Sequence, residues 1–203
     1  MPNWCENELT ISGPDVRKVL EAIRSESHED EDARLLDFNR IIPYPQVYRD
    51  IDRRAREYQE KLRAIGKDDP DRQQKLEVLA AEYGVEPGAP WIKDGYNSGG
   101  YEWCCSNWMT KWNACNVRLI TCEEGLRDVF HKTAEPRIQA SLEFDTAWSP
   151  PLPVIEKLAG MFPDHEFDLK YYEGGVGFCG HARWSGGEEQ FHEQDEYDGP
   201  RGG

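Results

Sequence analysis

Leu9 and Ile11 alternate with Glu8, Thr10 and Ser12 between Glu6 and Gly13, a period of two that predicts a first strand closed by Gly13-Pro14. Beyond Pro14 the period changes. Val16, Val19, Leu20 and Ile23 recur every three or four residues, the stripe by which a helix packs on a sheet. Leu35 to Tyr44 is apolar without a period, and Pro43 and Pro45 exclude a regular element there. From Gln46 to Ile65 the positions Val47, Ile51, Ala55, Tyr58, Leu62 and Ile65 again step by three or four and Gly66 can end the helix; Pro70 to Tyr83 repeats this through Leu76, Leu79, Ala80 and Tyr83 before Gly84, so a helical pair is expected. Alternation returns at Val117 and Leu119 and is clean through Ile138, Ala140, Leu142 and Phe144. Pro150 to Phe162 opens with prolines and continues as an amphipathic helix through Val154, Ile155, Leu158 and Phe162. Phe167, Leu169 and Tyr171 then alternate with Asp168, Lys170 and Tyr172, and Glu173-Gly174-Gly175 turns the chain back into a partner strand over Val176 to Trp184.

With residues 46–90 set aside as a helical insertion, the order is strand, helix, strand, strand, helix, strand. This is the α+β, split βαβ arrangement called ferredoxin-like, with its helices on one face of the sheet. The term describes topology, and the cysteine spacing supports no iron–sulfur cluster. The expected organisation is one domain over residues 1–185, interrupted at about 46–90, followed by an acidic tail over 186–203. That tail is rich in glycine and polar residues and almost free of aliphatics, so it is expected to be disordered.

Charge sharpens this division. The chain has 203 residues and a net charge of −15, and two short stretches carry most of the deficit: residues 25–37 have six acidic residues against Arg34, and the tail has six against Arg201. Arg49 to Lys67 has the opposite sign, with seven cations against four carboxylates, which reads as a mixed-charge solvated helix face or a contact face for an acidic partner. The acidic whole disfavours generic nucleic-acid binding. No apolar run reaches the ~18 residues of a membrane span, and Met1 to Ile11 lacks the order of a signal peptide. The six cysteines, at 5, 104, 105, 115, 122 and 179, contain no C-x-x-C pair and are expected to be reduced thiols in a cytoplasmic protein.

Candidate chemistry is sparse. The sheet positions facing away from the helices would be Glu8, Thr10, Ser12, Glu143, Asp145, Asp168, Lys170 and Tyr172, a set with four acidic residues and one aromatic that argues against stacking RNA bases there. Glu143, Asp145 and Asp168 are weak candidates for a divalent cation. No phosphate-binding, dinucleotide-binding, zinc-protease or hydrolase motif occurs, the five histidines are scattered, no cofactor is called for, and an enzyme is not the favoured reading. Four of the seven tryptophans lie at 91, 103, 108 and 112, and Tyr101 to Asn116 mixes rigid aromatics with amides, a hydroxyl and Lys111. Such a loop is a structural corner or a binding surface. The candidate residues are Asn3, Trp4, Asn7, Asn107, Trp108, Thr110, Lys111, Trp112 and Trp148.

Four segments together also carry a resemblance. Met1-Pro2-Asn3-Trp4-Cys5-Glu6-Asn7, Asn107-Trp108-Met109-Thr110-Lys111-Trp112-Asn113, Phe144-Asp145-Thr146-Ala147-Trp148-Ser149-Pro150-Pro151, and Tyr171 to Gly180 resemble a family of phage, prophage and conjugative-plasmid proteins with a ferredoxin-like domain of unknown function. In that family's pattern a glycine stands where this chain has Met109. The resemblance spans most of residues 1–184, leaves the insertion and tail unexplained, and supplies no reaction. It implies a mobile-element accessory protein acting in the bacterial cytoplasm by binding a host protein, for instance to inhibit a defence system. The alternative expectation is a binder of, or enzyme acting on, a nucleotide-like ligand, with the tryptophans stacking a base and Lys111 meeting a phosphate.

Overall fold

The computed structural model describes residues 3–26, 33–124 and 138–199. In chain order the elements are β1 (Trp4–Gly13), α1 (Val16–Ile23), α2 (Gln46–Ala64), α3 (Arg72–Tyr83), α4 (Gly100–Trp108), β2 (Cys115–Glu124), β3 (Ile138–Ala147), α5 (Leu152–Met161), β4 (Glu166–Glu173), β5 (Phe178–Ser185) and β6 (Glu188–Glu196). They divide into two compact units, one of Met1–Pro43 with Cys104–Gly203 and one of Tyr44–Trp103.

The first unit is built on a six-stranded sheet of order β2-β3-β1-β4-β5-β6, antiparallel throughout. The run β2-β3-β1-β4 with α1 and α5 is the ferredoxin-like arrangement, and β5 and β6 extend it beyond β4. β1 lies inside the sheet with its apolar face matched on both sides: Leu9 sits opposite Leu142 and Leu169, and Ile11 opposite Ala140 and Phe167. All six are buried, whereas Glu6 and Glu8, on the other face of β1, are exposed. Asp15 caps α1 by accepting from the Lys18 N–H, and Val16, Val19 and Ile23 close over this core. Val154, Ile155, Leu158 and Ala159 of α5 do the same over β4 and β5. Gly13 is required at its place, because a Cβ there would stand 2.4 Å from the buried His165 ring.

The second unit contains the expected helical pair, and it runs on to Trp103 rather than ending near residue 90. Tyr58, Leu79 and Tyr83 form its core, backed by Leu62, Ile65, Val85, Ala89 and Ile92. The Tyr58 hydroxyl donates to the Ala89 carbonyl, and Gly84, at φ +71°, ends α3 in the left-handed region.

Two expectations change. Half of the stretch read as a disordered tail, residues 188–196, is β6, paired with β5 from Phe178↔Glu196 to Ser185↔Glu188. An edge strand completes its hydrogen bonding through the backbone, so it forms without the aliphatic residues whose absence argued for disorder. The aromatic stretch from Tyr101 begins as the helix α4 and not as a loop. Within the acidic loop, residues 27–32 lie outside the described residues, as do residues 200–203 of the tail; Ser25 and Arg34 are joined by two backbone hydrogen bonds.

Candidate functional site

Three of the sequence motifs meet at one end of the sheet, and most of their polar groups hold the backbone in place. Asn7, only 4% exposed, directs its side-chain N–H groups at the Cys5 carbonyl (2.8 Å), the Phe144 carbonyl (3.2 Å) and Thr146 Oγ1 (2.9 Å). Thr146 Oγ1 in turn donates to the Ser149 carbonyl at 2.7 Å. Thr110 Oγ1 donates to the Ala147 carbonyl and accepts from the Ala147 N–H, at 3.1 and 3.0 Å. The Ser149 hydroxyl donates to the Met109 carbonyl, and the Trp148 N–H donates to the Asn3 carbonyl. Asn113 accepts from the Phe38 and Ala114 N–H groups and donates to Asp37. Trp108 is buried edge-on to Phe38 and donates its indole N–H to the Ile42 carbonyl. The candidates Asn7, Trp108 and Thr110 are thus buried and bonded to backbone groups. Asn3 is exposed with its side chain over Gly175, and Asn107 is half-buried on α4.

What remains on the surface is a row of indoles. Trp4 is 37% exposed and Trp148 43%, and Trp112 bridges toward both: its ring lies 6.1 Å from that of Trp4, and Lys111 Nζ sits 4.2 Å from the Trp112 ring centroid and 4.3 Å from that of Trp148. The ammonium is held between two ring faces. In that position it braces the row of indoles.

Two members of this region have left-handed backbones: Met109 at φ +59° and Trp148 at φ +79°. Such a conformation costs a residue with a Cβ about 1–2 kcal/mol. Met109 thus occupies a position suited to glycine, which accounts for the glycine in the pattern it departs from. Met109→Gly is expected to raise stability by up to about 1 kcal/mol, the relieved strain being partly offset by greater freedom of the unfolded chain. Urea unfolding measures it; a loss of 1 kcal/mol or more would mean that the Met109 side chain packs.

Trp4 continues into a groove on the open face of the sheet. Glu6 and Glu8 follow it on the same face of β1, and with Glu143, Asp145 and the stacked pair Tyr172 and Tyr197 (ring centroids 4.9 Å apart) they line a cavity of about 440 Å³. Glu143 pairs with Arg118 and Asp145 accepts from Asn116. The Tyr172 hydroxyl is pushed up to about 12, first by its hydrogen bond to Glu6 and then by burial. Tyr197 was hidden from sequence reasoning because it lies in the stretch read as disordered.

The cation candidates do not come together. β3 and β4 flank β1 on opposite sides, so Asp168 is two strands away from Glu143 and Asp145, and it is engaged instead by His181 (2.9 Å) and Arg183 (3.0 Å). Burial pushes the Asp168 carboxyl up, but the two donors outweigh it and hold the group below the usual carboxylate range. No metal-holding cluster occurs among the described residues. Burial pushes the Cys5 thiol up to about 12 and raises that of Cys115, the reverse of what a nucleophilic cysteine needs.

Comparison with known proteins agrees with this architecture. Residues 130–199 match the ferredoxin-like domain in Api92-like protein. The match to this ferredoxin-like domain takes in β3, α5, β4, β5 and β6, and so includes the strand that sequence reasoning had left out of the fold. Among solved structures, protein api92 from Yersinia pseudotuberculosis is similar at 14% identity, covering 98% of this chain and 99% of that one, with a TM-score of 0.45. No curated protein matches the chain. The ferredoxin-like domain places the protein in the α+β class, and no helix among the described residues is long and apolar enough to cross a membrane.

Proposed function

We propose that the protein is an accessory factor of a phage or plasmid that works in the bacterial cytoplasm by docking on a basic host protein, for instance a defence factor whose nucleic-acid groove is cationic. The observation that supports this reading is the continuity of one surface. The exposed rings of Trp4 and Trp148 lead directly along β1 to the carboxylates of Glu6 and Glu8 and the groove beside them. Exposed tryptophans held rigid by their neighbours are the anchors that dominate protein interfaces, and an adjoining acidic groove selects a partner of opposite charge. The origin in a mobile element rests on the sequence resemblance alone.

The test is affinity capture from host lysate with the full chain, comparing the wild type with a Trp4→Ala/Trp148→Ala variant and a Glu6→Gln/Glu8→Gln variant. The wild type should retain one basic protein in stoichiometric amount. The tryptophan variant should bind it at least ~30-fold more weakly, the effect of ~2 kcal/mol at an interface anchor, and the glutamine variant should show a flatter salt dependence. Equal capture by all three, or no stoichiometric partner, would remove the reading.

A further inference from the structure

The sheet ends at β6, and among the described residues no strand pairs with its outer side. An edge strand presents unpaired N–H and C=O groups at alternate residues, a template on which an extended chain can be added. From Phe191 to Glu196 the pairing with β5 is regular, running from Arg183↔Phe191 to Phe178↔Glu196. The other edge of the sheet is a poorer template. β2 shifts register twice against β3, and Asn116 within it has a left-handed backbone at φ +50°.

β6 is held in place by ring contacts, although it buries none of its own side chains. Phe191 lies edge-on to the His181 ring at 5.3 Å, His192 Nε2 is 2.9 Å from the Tyr171 hydroxyl, and just past the strand Tyr197 stacks on Tyr172 at 4.9 Å. The Tyr197 N–H also donates to the Gly177 carbonyl at 2.9 Å. The edge is therefore formed before anything adds to it, which lowers the ordering cost of association.

Charge decides what can add. The strand carries Glu188, Glu189, Glu193, Asp195 and Glu196, with no Lys or Arg. None of these carboxylates is in an ion pair among the described residues. His181 and Arg183, the nearest basic groups in register on β5, are both turned to Asp168 on β4, at 2.9 and 3.0 Å. Glu193 and Asp195, opposite His181 and Cys179, project to the open face of the sheet, and Glu196, opposite Phe178, projects to the other face. Unpaired carboxylates thus flank the edge on both faces. A cross-strand neighbour of opposite charge is favoured and one of like charge is opposed.

We propose that β6 takes up an extended, lysine- and arginine-rich segment of another protein as a further strand of the sheet. Main-chain hydrogen bonds along its outer side supply the affinity, and the carboxylates on both faces select a basic chain. This surface is separate from the exposed indoles, and the inference stands without the docking reading above.

The experiment titrates the full chain into a fluorescein-labelled octapeptide, Lys-Thr-Lys-Val-Lys-Thr-Lys-Val, and reads fluorescence anisotropy at several salt concentrations. The wild type should bind, and amide hydrogen exchange at residues 188–196 should slow on saturation while that of β2 does not change. The same peptide N-methylated at every residue keeps its charge and loses its main-chain donors on both edges. It should bind at least about tenfold more weakly, the effect of losing several main-chain hydrogen bonds. The Glu193→Gln/Asp195→Gln/Glu196→Gln variant should bind roughly tenfold more weakly at low salt and with a flatter salt dependence. The Trp4→Ala/Trp148→Ala variant should bind the peptide as the wild type does, so this inference and the proposed partner docking fail separately. Equal binding of the methylated peptide would mean charge attraction alone and would overturn the proposal. Absence of wild-type binding or slowed exchange away from β6 would do the same. So would protection of residues 188–196 that grows with protein concentration before peptide is added, since that places a second copy on the edge.

Discussion

Replacing Asn7 by aspartate is expected to remove about 3–5 kcal/mol of stability at pH 7, the cost of a buried charge without a partner. The amide nitrogen of Asn7 faces three oxygens, those of Cys5, Phe144 and Thr146. An aspartate there has no hydrogen to donate and sets a carboxylate among acceptors. Its ionisation is then harder in the folded protein than in the unfolded chain, so its folded pKa is raised. The sign follows: the penalty grows as pH rises above the unfolded value of ~4 and shrinks on acidification, when the protonated acid can donate one hydrogen bond. Urea midpoints of wild type and variant should therefore lie far apart at pH 7 and closer at pH 4. A gap independent of pH would mean that Asn7 holds another orientation. Asn7→Ala, which leaves three acceptors short of a donor, should cost about 1–3 kcal/mol at either pH.

Trp184→Ala should cost about 3–5 kcal/mol, while Trp184→Phe should cost less than about 1.5. Trp184 is fully buried on β5, opposite Phe167, and no group among the described residues accepts its indole N–H. Truncation to alanine leaves a large cavity at the sheet face covered by α5. Phenylalanine retains much of the ring and removes a buried donor that has no acceptor, so part of its smaller volume is compensated. Thermal unfolding of both variants separates the effects. A loss for phenylalanine approaching that for alanine would show that the indole nitrogen is bonded in the folded protein.

The sheet was legible because its strands bury one face. Leu9 and Ile11, Ala140 to Phe144, and Phe167 to Tyr171 alternate against polar neighbours, and that alternation sets both the strands and the face that receives α1 and α5. β6 was not legible, since every one of its side chains is exposed and its only signal is backbone pairing to β5. In the candidate site the meeting of the motifs was legible, and the bonds made by their polar groups were not. The motifs at Asn7, Thr110 and Trp148 do converge, but a linear sequence does not distinguish an amide that binds a ligand from one that binds a carbonyl 137 residues away, as Asn7 does. Nor does it show that Lys111 lies between two rings.

The exposed strand β6 has a physical consequence for the concentrated protein. A sheet that ends in an open ladder invites the same strand of another molecule to add to it. Here the open side belongs to a strand carrying Glu188, Glu189, Glu193, Asp195 and Glu196 among nine residues. Two such edges brought together would oppose carboxylate to carboxylate, so at neutral pH the strand acts as a guard against edge-to-edge polymerisation. Acidification removes that guard, and the colloidal behaviour of the protein is thereby tied to a segment that contributes nothing to its core.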